Sequence, residues 1–408
     1  MQTYERFIKY AKLNTQSCDT ADITPSTKEQ FVLANLLCDE LHAMGVANAE
    51  VDEHCYLYAH IAATAGCESL PALGLIAHID TAPAFSGSGV SPVLHADYNG
   101  KDIVLPKCGR VIKAADFPFM QSMKGKTVIT ADGSTLLGAD DKAGVAEIMS
   151  FCEYIVASNV PHCKLCIAFT PDEEIGAGAD LFDVSRFGAD FAYTMDGDLV
   201  GNIEYENFNA ASAIFNIDGV SVHPGSAKNI MVNALSLACE IQSMLPLNEV
   251  PEKTADYEGF FHLETLKGDS AKAEMEYIIR DHSKELFERK KSLLLEITDI
   301  MRNKYPTANI ALDLSDSYYN MKEQIAPHMH LIENAKKAVL SLGITPIIKP
   351  IRGGTDGARL SYMGLPCPNL GTGGSNFHGP YELICAEDME LATEMLKKLV
   401  SLYSTALR

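Results

Sequence analysis

With 408 residues the chain is longer than one compact core usually fills, so two domains are expected. Its 47% hydrophobic and 21% charged residues suit a soluble globular enzyme, and no apolar run approaches the ~20 residues that span a bilayer. A formal net charge of -21 argues against nucleic acid and anionic membranes as partners, because phosphate recognition needs a basic surface.

The opening MQTYERFIKYAKLN alternates charge with single apolar residues and shows no secretory h-region, so the cytoplasm is the expected compartment. FVLANLLCDELHAMG has helical periodicity and stops at Gly45. Three continuously apolar runs follow: LGLIAHID (73–80), LCIAFTPDEE (165–174) and DFAYTMDG (190–197). Such runs are buried on both faces, as central strands of an α/β sheet are. A helix over roughly 142–157 lies between the first two. This predicts a layered α/β domain around a central, mostly parallel sheet. The segment 84–135, rich in Gly, Pro and charge, is long for a crossover and is expected to be functional. The eleven cysteines are odd in number and scattered, which predicts reduced thiols. The lone CxxC pair, Cys163 and Cys166, falls in a strand whose facing alternates, so it is not read as a redox or zinc site.

From about 208 the pattern changes to strand (ASAIFNIDG), helix (NALSLACEIQSML), two strands joined at Gly268-Asp269, a long amphipathic helix and a last strand, NIALDLSDSYYN. The order β-α-β-β-α-β predicts a ferredoxin-like α+β module, 208–322, inserted as a lid. The helix in IAPHMHLIENAKKAVLSLG then returns the chain to the first domain, which is discontinuous: 1–207 and 323–408.

Each apolar run ends in His, Asp or Glu, and open α/β sheets bind ligands at the carboxyl ends of their strands. In AHID, His78 and Asp80 point the same way, so the acid can hold the second ring nitrogen of a ligating His; a plain polar pair is the ordinary alternative. Asp140 and Asp141 precede a helix, where acids also serve as caps. Glu173 and Glu174 project in different directions from one strand end, which suits one metal ligand and one free base. Asp196 ends the third run, and His378 lies in a Gly-rich loop after PCPNL. Together His78, Asp140, Glu174, Asp196 and His378 form an imidazole and carboxylate set suited to zinc. Three carboxylates and two neutral imidazoles carry -3, which two Zn²⁺ and one hydroxide would neutralise.

AHIDTAP, STLLGADDKAG, FTPDEEIGAGA, YTMDGD, SVHPGSAKN, RGGTDGARLSYMGLPCPNLGTGG and NFHGPYE, in this order through nearly the whole chain, resemble the peptidase T family of dizinc tripeptide aminopeptidases. The resemblance implies that His78, Asp140, Glu174, Asp196 and His378 bind two zinc ions with Asp140 bridging, that Glu173 is the general base, and that Asp80 orients His78. It also suggests a cis peptide between Asp140 and Asp141. It makes His223 in SVHPG, otherwise an ordinary turn histidine, a substrate or oxyanion contact. Arg280, ending IIRDH, and Arg352, opening RGGTDG, could each clamp the peptide's terminal carboxylate, which a guanidinium matches bidentately; a surface ion pair is the ordinary alternative for each. The expected partner is a short peptide, and a homodimer is allowed. A carboxypeptidase, dipeptidase or N-acyl amino acid deacylase on the same dizinc scaffold is the competing enzymatic reading. A non-catalytic peptide or metal binder would have lost the base or a ligand, and neither is missing.

Overall fold

Leu73–His78 and Leu165–Thr170 are buried at every residue, and Phe191–Gly197 at all but two. Strands without a polar face must lie inside a sheet covered on both sides. In the computed structural model, which describes residues 1–405, they form the centre of such a sheet. Leu165–Thr170 and Phe191–Gly197 flank Leu73–His78 in parallel, with Asn369–Gly371 parallel beyond Phe191–Gly197. Leu57–Ile61 and Glu50–Val51 extend one edge antiparallel, and Asn202–Glu204 and Ile347–Ile348 extend the other. The sheet is therefore mixed overall and parallel at its centre.

Helix Ala139–Ala157 packs over Leu73–His78 and Phe191–Gly197, backed by helices Thr3–Ala11 and Ala386–Thr405. A Cβ on Gly144 would stand 2.0 Å from the Met195 carbonyl oxygen, so only glycine lets this helix sit so close to its strand. Tyr58, Ile76, Ala168, Phe182, Phe187 and Leu360 cover the opposite face. The long segment 84–135 is not a bare loop. Its strands Val93–His95 and Val128–Thr130 join Leu383–Cys385 and Gly374–Ser375 in a small antiparallel sheet, with a hairpin of Ile103–Val104 and Val111–Ile112 beside it in sequence.

The chain divides into two compact units: residues 1–205, 323–349 and from Thr355 onward, and residues 206–322 with 350–354. In the second unit, strands Asn209–Asp218, Phe260–Gly268, Lys272–Asp281 and Asn309–Tyr318 form one antiparallel sheet. Its spatial order, with the first and third strands in the middle, is that of the ferredoxin-like module. Helices Ala234–Met244 and Lys284–Lys304 cover it, the second presenting Phe287, Leu294, Ile297 and Met301 to the core at helical spacing. Side chains of Asn233 and Ser283 cap the two helices. Gly268 takes φ +145 at the turn between two strands, where a Cβ would meet the Lys272 carbonyl at 2.2 Å. The sequence reading placed everything after 322 in the first unit, but Pro350–Gly354 returns to the second. The Ile351 N–H bonds the Glu206 carbonyl, and Arg352 donates to the carbonyls of Asp256 and Glu258. Among the described residues, no helix is long and apolar enough to cross a membrane.

Candidate metal centre

Strand register assembles the first half of the site. Ile76 pairs with Thr194, so two residues further along each parallel strand stand His78 and Asp196, on the same face of the sheet. His78 Nε2 lies 3.4 Å from Asp196 Oδ1 and 2.9 Å from Asp140 Oδ1. Its Nδ1 lies 3.2 Å from Asp80 Oδ1. Burial alone would lower the His78 pKa, but Asp140, Asp196 and Asp80 outweigh it and hold the imidazole well above its usual value.

Asp140 comes from the segment entering helix Ala139–Ala157, where the backbone is not yet helical and the Asp140–Asp141 peptide is cis. Its two oxygens divide: Oδ1 faces His78, while Oδ2 lies 3.0 Å from His378 Nε2. Burial opposes ionisation here, yet the two imidazoles prevail and keep Asp140 well below the usual carboxylate range. His378 Nε2 also stands 2.9 Å from Glu174 Oε2. Asp140 and Glu174 push His378 up to about 10. Burial, then the Asp140 charge, pushes Glu174 up to about 7, and its Oε1 is buried without a hydrogen-bond partner.

The five residues expected to hold metal thus converge as two triads, His78–Asp140–Asp196 and Asp140–Glu174–His378, sharing Asp140. Ligand atoms of His78, Asp140 and Glu174 lie within 4.8 Å of one another, as do those of His78, Asp141 and Asp196. The Asp141 carboxylate already accepts the backbone N–H of His78 and of Gly144, each at 3.1 Å, which makes it a brace between strand and helix. Glu173 begins a short turn of 3₁₀ helix after its strand. Among the described residues no hydrogen bond or ion pair engages its carboxyl group. Burial, with Asp196 next, holds it well above the usual glutamate value. Asp80, fully buried, accepts the N–H of Glu173 at 3.0 Å and of Glu174 at 3.2 Å.

The donors fit divalent cations. The acids favour the charged form of both imidazoles and crowd one another, and one carboxylate oxygen of Glu174 is buried without a hydrogen-bond partner. A cation held by each triad would take the place of imidazole protons and neutralise the acids, and the imidazole and carboxylate mixture is one zinc accepts.

The other three expected residues belong to the second unit. His223 is exposed, and its Nδ1 accepts the Gly225 N–H at 3.1 Å. Arg280 donates to the Ile279 carbonyl and lies over the Tyr318 ring. Arg352 clasps the 254–258 loop, donating to Thr254 Oγ1 at 3.1 Å and to the Asp256 and Glu258 carbonyls at 2.8 and 2.9 Å. Sequence reasoning passed over Asp141 as a brace and Asp356, which accepts from Thr170 Oγ1 at 2.8 Å at the end of the strand that precedes Glu173. It also passed over Glu382. An acid inside NFHGPYE and another inside GGTDG were the available signals.

The model of peptidase family M20/M25/M40 matches residues 118–402. Among curated relatives, peptidase T of Alkaliphilus oremlandii (strain OhILAs) is 52% identical over 403 residues, covering 98% of each chain. Peptidase T of Clostridium perfringens (strain SM101 / Type A) is 50% identical, covering 99% of each. Among solved structures, the aminopeptidase PepT of Bacillus cereus ATCC 10987 superposes with a TM-score of 0.80 at 20% identity, covering 99% of this chain and 98% of that one. A tripeptidase from Staphylococcus aureus subsp. aureus Mu50 gives a TM-score of 0.78, also at 20% identity and with the same coverage.

Proposed function

The chain belongs to peptidase family M20/M25/M40, and on that premise we propose that it is an aminopeptidase that releases the N-terminal residue of tripeptides. The observation that carries the reading is the pair of imidazole and carboxylate triads joined through Asp140, with Glu173 uncommitted beside them. Relatives about half identical over the full chain bear the name peptidase T, which favours this substrate class over the carboxypeptidase, dipeptidase or deacylase reading.

In this reading His78, Asp140 and Asp196 would hold one zinc ion, and Asp140, Glu174 and His378 would hold the other. Bound zinc supplies Lewis acidity, lowering the pKa of a water toward ~7 and polarising the scissile carbonyl. Glu173 removes a proton from the water that attacks the carbonyl carbon and hands it to the leaving amine. Asp80 acts on both sides of this chemistry, facing His78 Nδ1 while pinning the backbone that carries Glu173 and Glu174. His223 is proposed as an oxyanion or substrate contact: with Nδ1 accepting from Gly225, its ring proton sits on Nε2 as a donor. Arg280 and Arg352 are both proposed for the peptide carboxylate, each releasing the backbone carbonyls it holds here, Ile279 for Arg280 and Asp256 and Glu258 for Arg352. All eleven cysteines are free, which suits the reducing cytoplasm as the place of work.

The test pairs metal analysis with hydrolysis of di-, tri- and tetrapeptides, free and N-acetylated. Two zinc ions per chain and preference for the free tripeptide are expected. Equal cleavage of the acetylated tripeptide would overturn the reading.

A further inference from the structure

His378 sits at φ +63 in the tip of a hairpin whose arms are Gly374–Ser375 and Leu383–Cys385. The second arm also pairs with Val128–Thr130, the strand that leads into DGSTLLGADD and Asp140. At the start of that arm stands Glu382, 1% exposed. Its Oε2 accepts the N–H of Leu137 at 2.7 Å and of Gly138 at 2.9 Å, and its Oε1 accepts the N–H of Asp140 at 3.1 Å. Three consecutive-segment amides therefore converge on one carboxylate supplied from 242 to 245 residues away in sequence. The segment has no side-chain cap of its own, since Gly138 occupies the N-cap position.

We propose that Glu382 is a positioning residue of the metal centre, locking the Asp140 backbone to the His378 hairpin so that the shared carboxylate meets both triads. The inference rests on the metal-centre reading above. It follows from what each alternative side chain can do. A carboxylate offers acceptors on both oxygens and can take all three N–H groups at once. A glutamine presents one acceptor and one donor, so its amide N–H must face at least one backbone N–H. An aspartate keeps the charge but is one methylene too short to reach from the same backbone. Either change frees the Asp140 backbone, and with it the two carboxylate oxygens, from the position that His78 and His378 share.

The experiment titrates the metal-free full-length chain with Co²⁺ alone, following binding and the visible absorption of the bound ion, for wild type, E382Q and E382D. Hydrogen exchange of the peptide spanning 135–141 is followed in the same samples without metal. Wild type is expected to bind two ions. In E382Q the ion held by Asp140, Glu174 and His378 should bind about 10–100-fold more weakly, as loss of a partner behind a ligand typically costs. Its Co²⁺ spectrum should change and the 135–141 amides should exchange faster, with E382D falling between the two. Wild-type affinities, spectrum and exchange in E382Q would overturn the proposal and leave the metal centre intact. A wild-type chain that binds no pair of ions would instead sink the metal-centre reading, and this inference with it. If E382Q does not fold, E382D carries the same test, and unaltered binding and exchange in E382D overturns the proposal.

Discussion

Asp80 Oδ1 accepts the backbone N–H of Glu173 at 3.0 Å while lying 3.2 Å from His78 Nδ1. One buried acid thus sets both the orientation of the His78 imidazole and the position of the turn that carries Glu173. Replacing Asp80 with Asn keeps the size but gives up an acceptor facing either His78 or the turn. D80N is expected to lose about 10–100-fold in zinc affinity or kcat/KM. Zinc titration beside steady-state kinetics checks this, and a variant equal to wild type in both would remove Asp80 from the centre.

Among the described residues no hydrogen bond or ion pair engages the Glu173 carboxyl group, so its loss should leave the two triads standing. E173Q is expected to retain two zinc ions per chain and to lose about 10²–10⁴-fold in kcat, the usual scale for a positioned general base. Metal content and turnover measured on one preparation separate the two effects. Loss of metal from E173Q would make the residue a ligand.

Gly144 touches the strand that carries Asp196. A Cβ there would meet the Met195 carbonyl at 2.0 Å and the Asp141 Oδ1 at 2.4 Å, both inside any tolerable contact. G144A should push the helix outward and break the Asp141 brace. Overpacking of this kind typically costs about 1–3 kcal/mol, to be read as a lowered Tm. Metal affinity should fall with it, because Asp140 rides on the same segment.

Glu204 gives a pH prediction outside the two triads. Burial pushes its pKa from 4.5 up to about 8, against the partial relief of Lys349. Folding therefore takes up a proton at this residue, and its unfavourable contribution grows as pH rises from 4.5 through 8. E204Q should match wild type in thermal stability near pH 4.5 and exceed it by a few degrees at pH 9. Tm curves of the two proteins that run parallel from acid to alkaline pH would refute the assignment.

What could be read from the sequence depended on how local the physics was. His78 and Asp196 were legible because burial on both faces marks a central strand, and the acid or imidazole at its end has only one place to be. The ferredoxin-like module was legible from periodicity and its Gly268-Asp269 turn. His378 was not legible from its own surroundings. A half-exposed histidine in a Gly-rich loop gives no sign of its partner, and only its joint occurrence with the other four residues, supported by the family resemblance, picks it out. Glu382 and Asp141 stayed hidden because what they bind is backbone N–H, which every residue possesses. Arg352 followed the same logic in reverse: its partners are carbonyls of 254–258, nearly a hundred residues away, so a side chain suited to a carboxylate was found holding a loop.

His378 rides on a hairpin whose second arm, Leu383–Cys385, is paired with Val128–Thr130. Two stretches far apart in sequence thus share one small sheet, so the closeness of His378 to Asp140 is a product of long-range pairing: a chain in which either stretch came loose would part the two side chains without altering either one.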